Sequence, residues 1–324
     1  MNVLILSASA KVLLVQSFRQ AAAERGGRVV ACDTAADSAA LYAADEAVLV
    51  PRSTAPEFAA AVLELCAGKN IRLVVPTRDA ELAALSGCVE ALRERGVSLL
   101  LPPPRALEIC RDKRKFTDFC RTIGLPVARS YAPGEMPTRF PVFARPIAGA
   151  GGQGARVLRS AAEVAALGDG ASTTIVQDYV DDPEYTIDVL MDLEGRPLQA
   201  VARSRLLIRN GESQKSRVED LPVLSRGALD LCSALGLVGH NVVQAFHSPA
   251  RGPHYIEVNP RFGGASNLSI AAGLDSPRRI LAMVAGEEAE AARARPIRYG
   301  LTMLRHSADI LVDAATIEAL PHTK

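Results

Sequence analysis

The chain has 324 residues, 48% of them hydrophobic and 23% charged, with a formal net charge of +1. That length accommodates two or three domains, each with its own core, and the near-neutral balance argues against a nucleic-acid or membrane partner held by charge. The six cysteines form no CxxC and have no nearby histidine pair, so reduced thiols are expected rather than a disulfide frame or zinc site. MNVLILSASAK lacks a basic n-region, and no run approaches the ~18 apolar residues of a spanning helix; a cytoplasmic location is expected.

The first hundred residues alternate apolar strands (NVLILSAS, RVVACD, AVLVP, IRLVVPT, VSLLLP) with helical stretches (KVLLVQSFRQAAAERG, PEFAAAVLELCAGKN, DAELAALSGCVEALRERG). This pattern predicts a parallel sheet wound in βαβ units. Ser7, Ser9, Asp33 and Thr77 at the strand ends would line the crevice where such sheets bind ligands. The dinucleotide fingerprint is absent, because LILSASAK contains no glycine, and Asp33 reads as a strand-end cap.

Pro102, Pro103 and Pro104 mark a boundary. Beyond it, ALEICRDKRKFTDFCRTIG predicts one helix with a basic cluster at Arg111, Lys113, Arg114 and Lys115, a pattern that by itself describes a solvated face. The strand FPVFARPI leads into GAGGQG, with glycines at 149, 151, 152 and 154. Such a backbone can approach phosphates closely, or simply turn. Ala155 and Arg156 exclude a P-loop. The strand TIVQDYV, the acidic turn DDPE and the strand YTIDVLMD follow.

NVVQAFH and HYIEVNP read as an antiparallel hairpin turning at Ala250 and Arg251, which puts Gln244 opposite Glu257. Cross-strand partners share a face, as do residues two apart, so Gln244, Glu257 and Asn259 converge. The set suits a hard cation such as Mg²⁺, which takes one or two carboxylates and keeps positions for phosphates and water. Arg261, two residues on, would offer a permanent charge to a phosphoryl or acyl-phosphate oxygen. Periodicity alone equally describes an ordinary polar sheet face.

In order, the DK helix, the strand ending in a cation, the glycine loop, the hinge strand, the acidic turn and Q…ExNPR resemble the ATP-grasp superfamily. The likeness is to single-copy ligases similar to the carbamoyl phosphate synthase large-subunit repeat. Its most specific pieces are IEVNPRFGGASNLSIAAG and FARPIAGAGGQG. The resemblance implies an α/β chain: a Rossmann-like, pre-ATP-grasp domain over 1–103, then a two-subdomain α+β ATP-grasp domain over 104–286. The flap subdomain would cover about 127–195, and 287–324 would extend the grasp domain.

The resemblance also implies roles. Lys113 and Arg145 would approach the ATP phosphates under a flap containing Gly149, Gly151, Gly152 and Gly154. Gln177, Tyr179 and Val180 would frame adenine, and Glu184 would hold the ribose hydroxyls. Many relatives carry lysine at the position of Arg145 and glutamate at that of Gln177. Gln244, Glu257 and Asn259 match the Mg²⁺ ligands, with Mn²⁺ a second candidate. Arg261 and Lys215 are the expected catalytic cations; Arg203, Arg205, Arg217 and His240 are candidate substrate residues. Asp79, in TRDAEL, reads as a helix cap, although related N-terminal domains close one side of the substrate pocket.

The implied activity is ATP-dependent carboxylate–amine ligation through an acyl phosphate, acting on small molecules, with a homodimer common among relatives. The alternatives are phosphoryl transfer to a carboxylate or carbamate without amine ligation, and a non-catalytic nucleotide-binding module. IRYGLTMLRH has strand character and is expected to add to the grasp sheet.

Overall fold

Strands β1 (Asn2–Ile5), β2 (Val29–Asp33), β3 (Glu46–Leu49), β4 (Ile71–Val75) and β5 (Ser98–Leu99) form the expected parallel sheet, in the order β3-β2-β1-β4-β5. The computed structural model describes residues 1–149 and 152–323, without the side chains of residues 169 and 171. Helices α1 (Val12–Ala23), α2 (Phe58–Gly68), α3 (Asp79–Ala84) and α4 (Val89–Glu94) connect these strands. The β2 residues are buried throughout, as a strand covered on both faces requires.

The helix expected beyond the prolines divides into α5 (Pro104–Arg111) and α6 (Lys113–Thr122). Asp112 is the cause. Its backbone is extended and its Oδ1 accepts the amides of Arg114 (2.8 Å) and Lys115 (3.1 Å), satisfying donors that a helix start leaves orphaned. The break makes Lys113 the first residue of α6.

A four-stranded antiparallel sheet follows, built from β6 (Ser130–Tyr131), β7 (Val142–Pro146), β8 (Arg156–Leu158) and β9 (Thr174–Asp178), in the order β6-β9-β7-β8. Helix α7 (Ala161–Ala165) precedes β9. The larger sheet comprises β10 (Glu184–Met191), β11 (Pro197–Arg209), β12 (Glu212–Glu219), β13 (His240–Ser248), β14 (Gly252–Asn259) and β15 (Thr302–Leu304), in the order β14-β13-β10-β11-β12-β15. One face packs Ile187, Val189, Ala202, Val243 and Ala245 on Leu224, Ala228, Leu231 and Cys232 of α8 (Pro222–Leu235). Each fully buried leucine there contributes roughly 1.5–3 kcal/mol.

One core lies wholly before the prolines, from Leu4 to Val97, and another wholly after them, from Ala106 to Val258. One apolar cluster joins Leu14, Val15 and Phe18 of α1 to Val201, Phe262, Ile280 and Leu281, and the rings of Phe18 and Phe262 meet edge to face at 5.5 Å. The boundary at the prolines therefore separates two cores that this third cluster bridges. β15 joins the large sheet as expected. Residues beyond it continue to the edge of the first sheet, where the amide of Leu49 donates to Pro321 O (2.8 Å) and that of Thr323 to Leu49 O (3.0 Å). Residues 287–323 thus extend the large sheet and also reach the edge of the first. Among the described residues, no helix is long and apolar enough to cross a membrane.

The cysteines form no disulfides, and five of them are buried. Burial pushes the thiols of Cys66 and Cys120 up to about 12 and raises those of Cys32, Cys88, Cys110 and Cys232 as well. Since the thiolate is the reacting species, the native protein at pH 8 is expected to give no fast-reacting thiol with Ellman's reagent, whereas all six should react in urea. A prompt native reaction would contradict this packing.

Candidate active site

Gln244 pairs directly with Glu257, as expected, but by an unexpected route. Ser248 pairs with Gly252, so the turn centres on Ala250 rather than between Ala250 and Arg251, which shifts the pairing by one residue. A β-bulge between the Gln244 and Ala245 pairs then inserts Ile256 as an extra residue and restores the register. Without it Glu257 would fall on the α8 face, because side chains alternate. The carbonyl of Ile256 accepts from Nη2 of Arg145 at 3.1 Å.

The pairing builds rows across the sheet face opposite α8. Arg203 pairs with Thr186, Thr186 with Gln244, and Gln244 with Glu257. One row along, Asp188 pairs with Val242, and Val242 with Asn259. Asn259 donates Nδ2 to Glu257 Oε1 at 3.1 Å and accepts from Nη2 of Arg261 at 3.2 Å. Among the described residues, no group of three or more His, Cys, Asp or Glu side chains could hold a metal. The candidate set instead combines one carboxylate with two amides. It fits a hard cation whose remaining positions go to phosphate oxygens and water, provided Asn259 turns its oxygen from Arg261 toward Glu257.

Two cations approach this set from neighbouring elements. Lys113, placed at the start of α6 by the Asp112 cap, donates its backbone amide to Ile147 O (3.1 Å) and Nζ to Gly149 O (2.8 Å). Burial lowers its pKa; Glu257 opposes and Arg145 reinforces the shift, so all three groups share one field. Arg145, buried in β7, donates Nε to Gln177 Oε1 at 3.1 Å, and burial lowers its pKa against the attraction of Glu257 and Glu184. Gln177 thereby orients Arg145. An apolar pocket adjoins them between the two antiparallel sheets, lined by Phe143, Tyr179, Val180, Phe246 and Ile256.

In the glycine loop, Gly149, Gly152 and Gly154 have positive φ, and a Cβ on Gly154 would meet Pro146 Cγ at 3.0 Å; Gly151 lies outside the described residues.

Several expected residues are placed elsewhere. Lys215 and Arg217 are exposed and alternate with Ser216 and Val218, which pair with Arg205 and Arg203. Strand periodicity therefore directs Lys215 and Arg217 away from the Glu257 face. Glu184 and Arg205 neutralise each other in an ion pair; Arg205 also donates to Ser213 Oγ (3.3 Å) and Gly211 O (2.7 Å). Arg205 is thus committed within the hairpin, and Glu184 gives it one carboxyl oxygen.

His240 is sealed in the interior. Its Nδ1 meets Ser276 Oγ at 2.8 Å, its Nε2 lies 3.0 Å from Asp188 Oδ1 and from Ser266 Oγ, and its ring stacks on Phe262 at 4.2 Å. It orders the interior rather than binding substrate. Arg203 is intermediate: Nε pairs with Asp188 Oδ2 at 2.7 Å, while its buried Nη1 has no hydrogen-bond partner and lies in the row of Gln244 and Glu257.

Asp188 is the residue that sequence reading missed. The available signal was a lone carboxylate within the apolar run TIDVLM. Asp79 is also corrected: it caps nothing. Glu81 accepts the amides of Thr77 (2.7 Å) and Arg78 (3.0 Å) at that helix start. Asp79 instead takes a bidentate pair from Arg261, at 2.8 and 3.1 Å, joining the first domain to the hairpin.

Two family models match the chain: a PylC-like N-terminal domain over residues 3–100, and an ATP-grasp in the biosynthetic pathway with Ter operon over residues 171–306. Among curated relatives, phosphoribosylamine–glycine ligase of Streptomyces coelicolor is 26% identical over 74% of this chain and 63% of its own. The 3-methyl-D-ornithine–L-lysine ligase of Methanosarcina barkeri is 27% identical over 62% of this chain and 52% of its own. The chain thus spans less than two thirds of either relative. Among solved structures, Rhizobium etli pyruvate carboxylase shares the fold at a TM-score of 0.70 and 18% identity, over 92% of this chain and 30% of that one. These matches agree with the ordered motifs and with the sheet that carries them: the chain belongs to the ATP-grasp superfamily.

Proposed function

We propose that the protein is an ATP- and Mg²⁺-dependent carboxylate–amine ligase. The observation that carries the reading is the single face on which Gln244 and Glu257 pair, with Asn259 and Arg261 contiguous to them. The curated relatives named above, both ligases joining an amine, support it.

In this reading the apolar pocket beside Gln177 takes adenine, and Lys113 and Arg145 face the nucleotide phosphates. A substrate carboxylate attacks the γ-phosphorus, giving an acyl phosphate and ADP; an amine then displaces phosphate to form the amide. Gln244, Glu257 and Asn259 would hold Mg²⁺, which when bound neutralises phosphate charge. Arg261, oriented by Asp79, offsets charge on the reacting carboxyl and phosphoryl oxygens. Arg203 Nη1 supplies a second buried donor on the same face. Gly149, Gly152 and Gly154 would lie against the phosphates, and excluding water there limits hydrolysis of the acyl phosphate.

The likeness to a carboxylase favours one competing reading, transfer of the activated carboxyl to an acceptor other than an amine. Measuring ADP and phosphate release over a panel of carboxylic acids, each with and without amines, separates the two. ATP turnover that requires an acid and rises with one class of amine supports ligation. Turnover indifferent to every amine would sink it.

A further inference from the structure

An open parallel sheet binds ligands at its topological switch point, which here falls between β1 and β4. Two cations stand there. Nζ of Lys11 lies 3.4 Å from Ser7 O, and the same carbonyl accepts the Thr77 hydroxyl at 3.0 Å. The Lys11 ammonium therefore rests against the β4–α3 turn that carries Arg78. Burial lowers its pKa, with Arg78 and Arg261 adding to the effect and Glu81 and Asp33 opposing it.

Among the described residues, neither Lys11 nor Arg78 makes an ion pair. The hydrogen bonds of the nearby acids run to other partners. Asp33 accepts the amides of Ser9 (2.6 Å) and Thr34 (2.7 Å). Buried Glu81 accepts those of Thr77 and Arg78 through Oε2, its Oε1 making no hydrogen bond among the described residues, and both oxygens of Asp79 are taken by Arg261. Two cations at one crevice, one of them half-buried and neither in an ion pair among the described residues, attract an anion even though Glu81 and Asp33 offset part of their charge. The position also has a direction: Arg78 immediately precedes the Asp79 that holds Arg261, so this crevice and the reacting end of the site share one wall.

We propose that Lys11 and Arg78 form a subsite for a second anionic group on the acid substrate, making that substrate a dicarboxylate or a phosphorylated carboxylate. The proposal rests on the ligase reading. One carboxyl is activated beside Arg261, and the remote anion is held by Lys11 and Arg78. Acids with an uncharged tail would leave the two cations uncompensated and bind more weakly.

The test is calorimetric titration of the full-length protein with succinate, 3-phosphoglycerate and acetate, with and without Mg·ADP, for wild type, Lys11→Gln, Arg78→Gln and the double variant. At least one dianion should bind the wild type about tenfold or more tightly than acetate, and each single substitution should weaken it at least about tenfold. Acetate and Mg·ATP binding should not change. Tighter binding of succinate or of 3-phosphoglycerate identifies the remote group as carboxylate or phosphate. Arg78 is exposed, so an unchanged urea midpoint for its variant certifies the fold. Dianions that bind no better than acetate, or equally well to the variants, overturn the subsite. Failure of the wild type to bind Mg·ATP would overturn the ligase reading instead, and the nucleotide-free titration would still judge Lys11 and Arg78.

Discussion

Replacing Glu257 with glutamine is expected to lower ADP formation by about 10²–10³-fold while leaving the fold intact. Glu257 is the one carboxylate in the candidate metal set, paired with Gln244 across the hairpin and bonded to Asn259. The amide substitution keeps its shape and one acceptor oxygen but removes the charge that a hard cation requires. The residue is only partly buried, so stability should change little. The distinguishing measurement is a magnesium titration of ADP release. The variant should need more Mg²⁺ and still fall short of the wild-type maximum. Unaltered turnover at limiting Mg²⁺ would remove Glu257, and the proposed mechanism with it.

Substituting alanine for Asp188 should cost about 3–5 kcal/mol of stability, a large part of the roughly 5–15 kcal/mol typical of a folded domain. Asp188 is fully buried; it pairs with Arg203 at 2.7 Å and accepts from Ser266 (2.6 Å) and Ser269 (2.7 Å). Removing it leaves the Arg203 guanidinium buried without a counterion. A double variant, Asp188→Ala with Arg203→Met, should regain part of the loss, because the stranded charge is gone. Urea denaturation of the three proteins decides the matter. A single substitution costing under ~1 kcal/mol, or a double variant no better than the single, would show that the pair does not act in this way.

The same carboxyl sets an acid limit. Burial would raise the Asp188 pKa, but the Arg203 charge and the contacts from His240 and Ser266 outweigh it and hold the group well below the usual carboxylate range. A folded-state value below the unfolded value of about 3.9 stabilises the fold above that pH. The contribution should therefore be constant from about pH 5 to 8. It should begin to fall below about pH 4 and be lost as pH drops toward the folded value. The Asp188→Asn variant should lack that acid-side slope.

The parallel sheet was legible because its strands are continuous apolar runs and its helices have their own period. The Gln244–Glu257 pairing was legible because a strand alternates with period two. Even so, the turn centred on Ala250, and the bulge at Ile256 supplied the missing residue. Local pattern cannot distinguish a longer turn from a bulged strand when both produce one pairing. The helix break at Asp112 was written locally, as a capping residue just before Lys113, and was obscured by the basic run around it.

By itself the sequence determined the order of elements, the family resemblance and the hairpin face that carries Gln244, Glu257 and Asn259. These depend on residue type and short-range period. Only the tertiary structure decided which charges are free to act. Glu184 and Arg205 cancel each other, Lys215 and Arg217 face away, Asp79 orients Arg261, and His240 is enclosed with Asp188 and Arg203. A charged residue's role follows from its nearest partner, and in this chain that partner can lie far along the sequence, 182 residues away for Asp79 and Arg261. Among the described residues Lys11 and Arg78, like Lys113 and Arg145, are brought together by folding without an ion pair to a carboxylate.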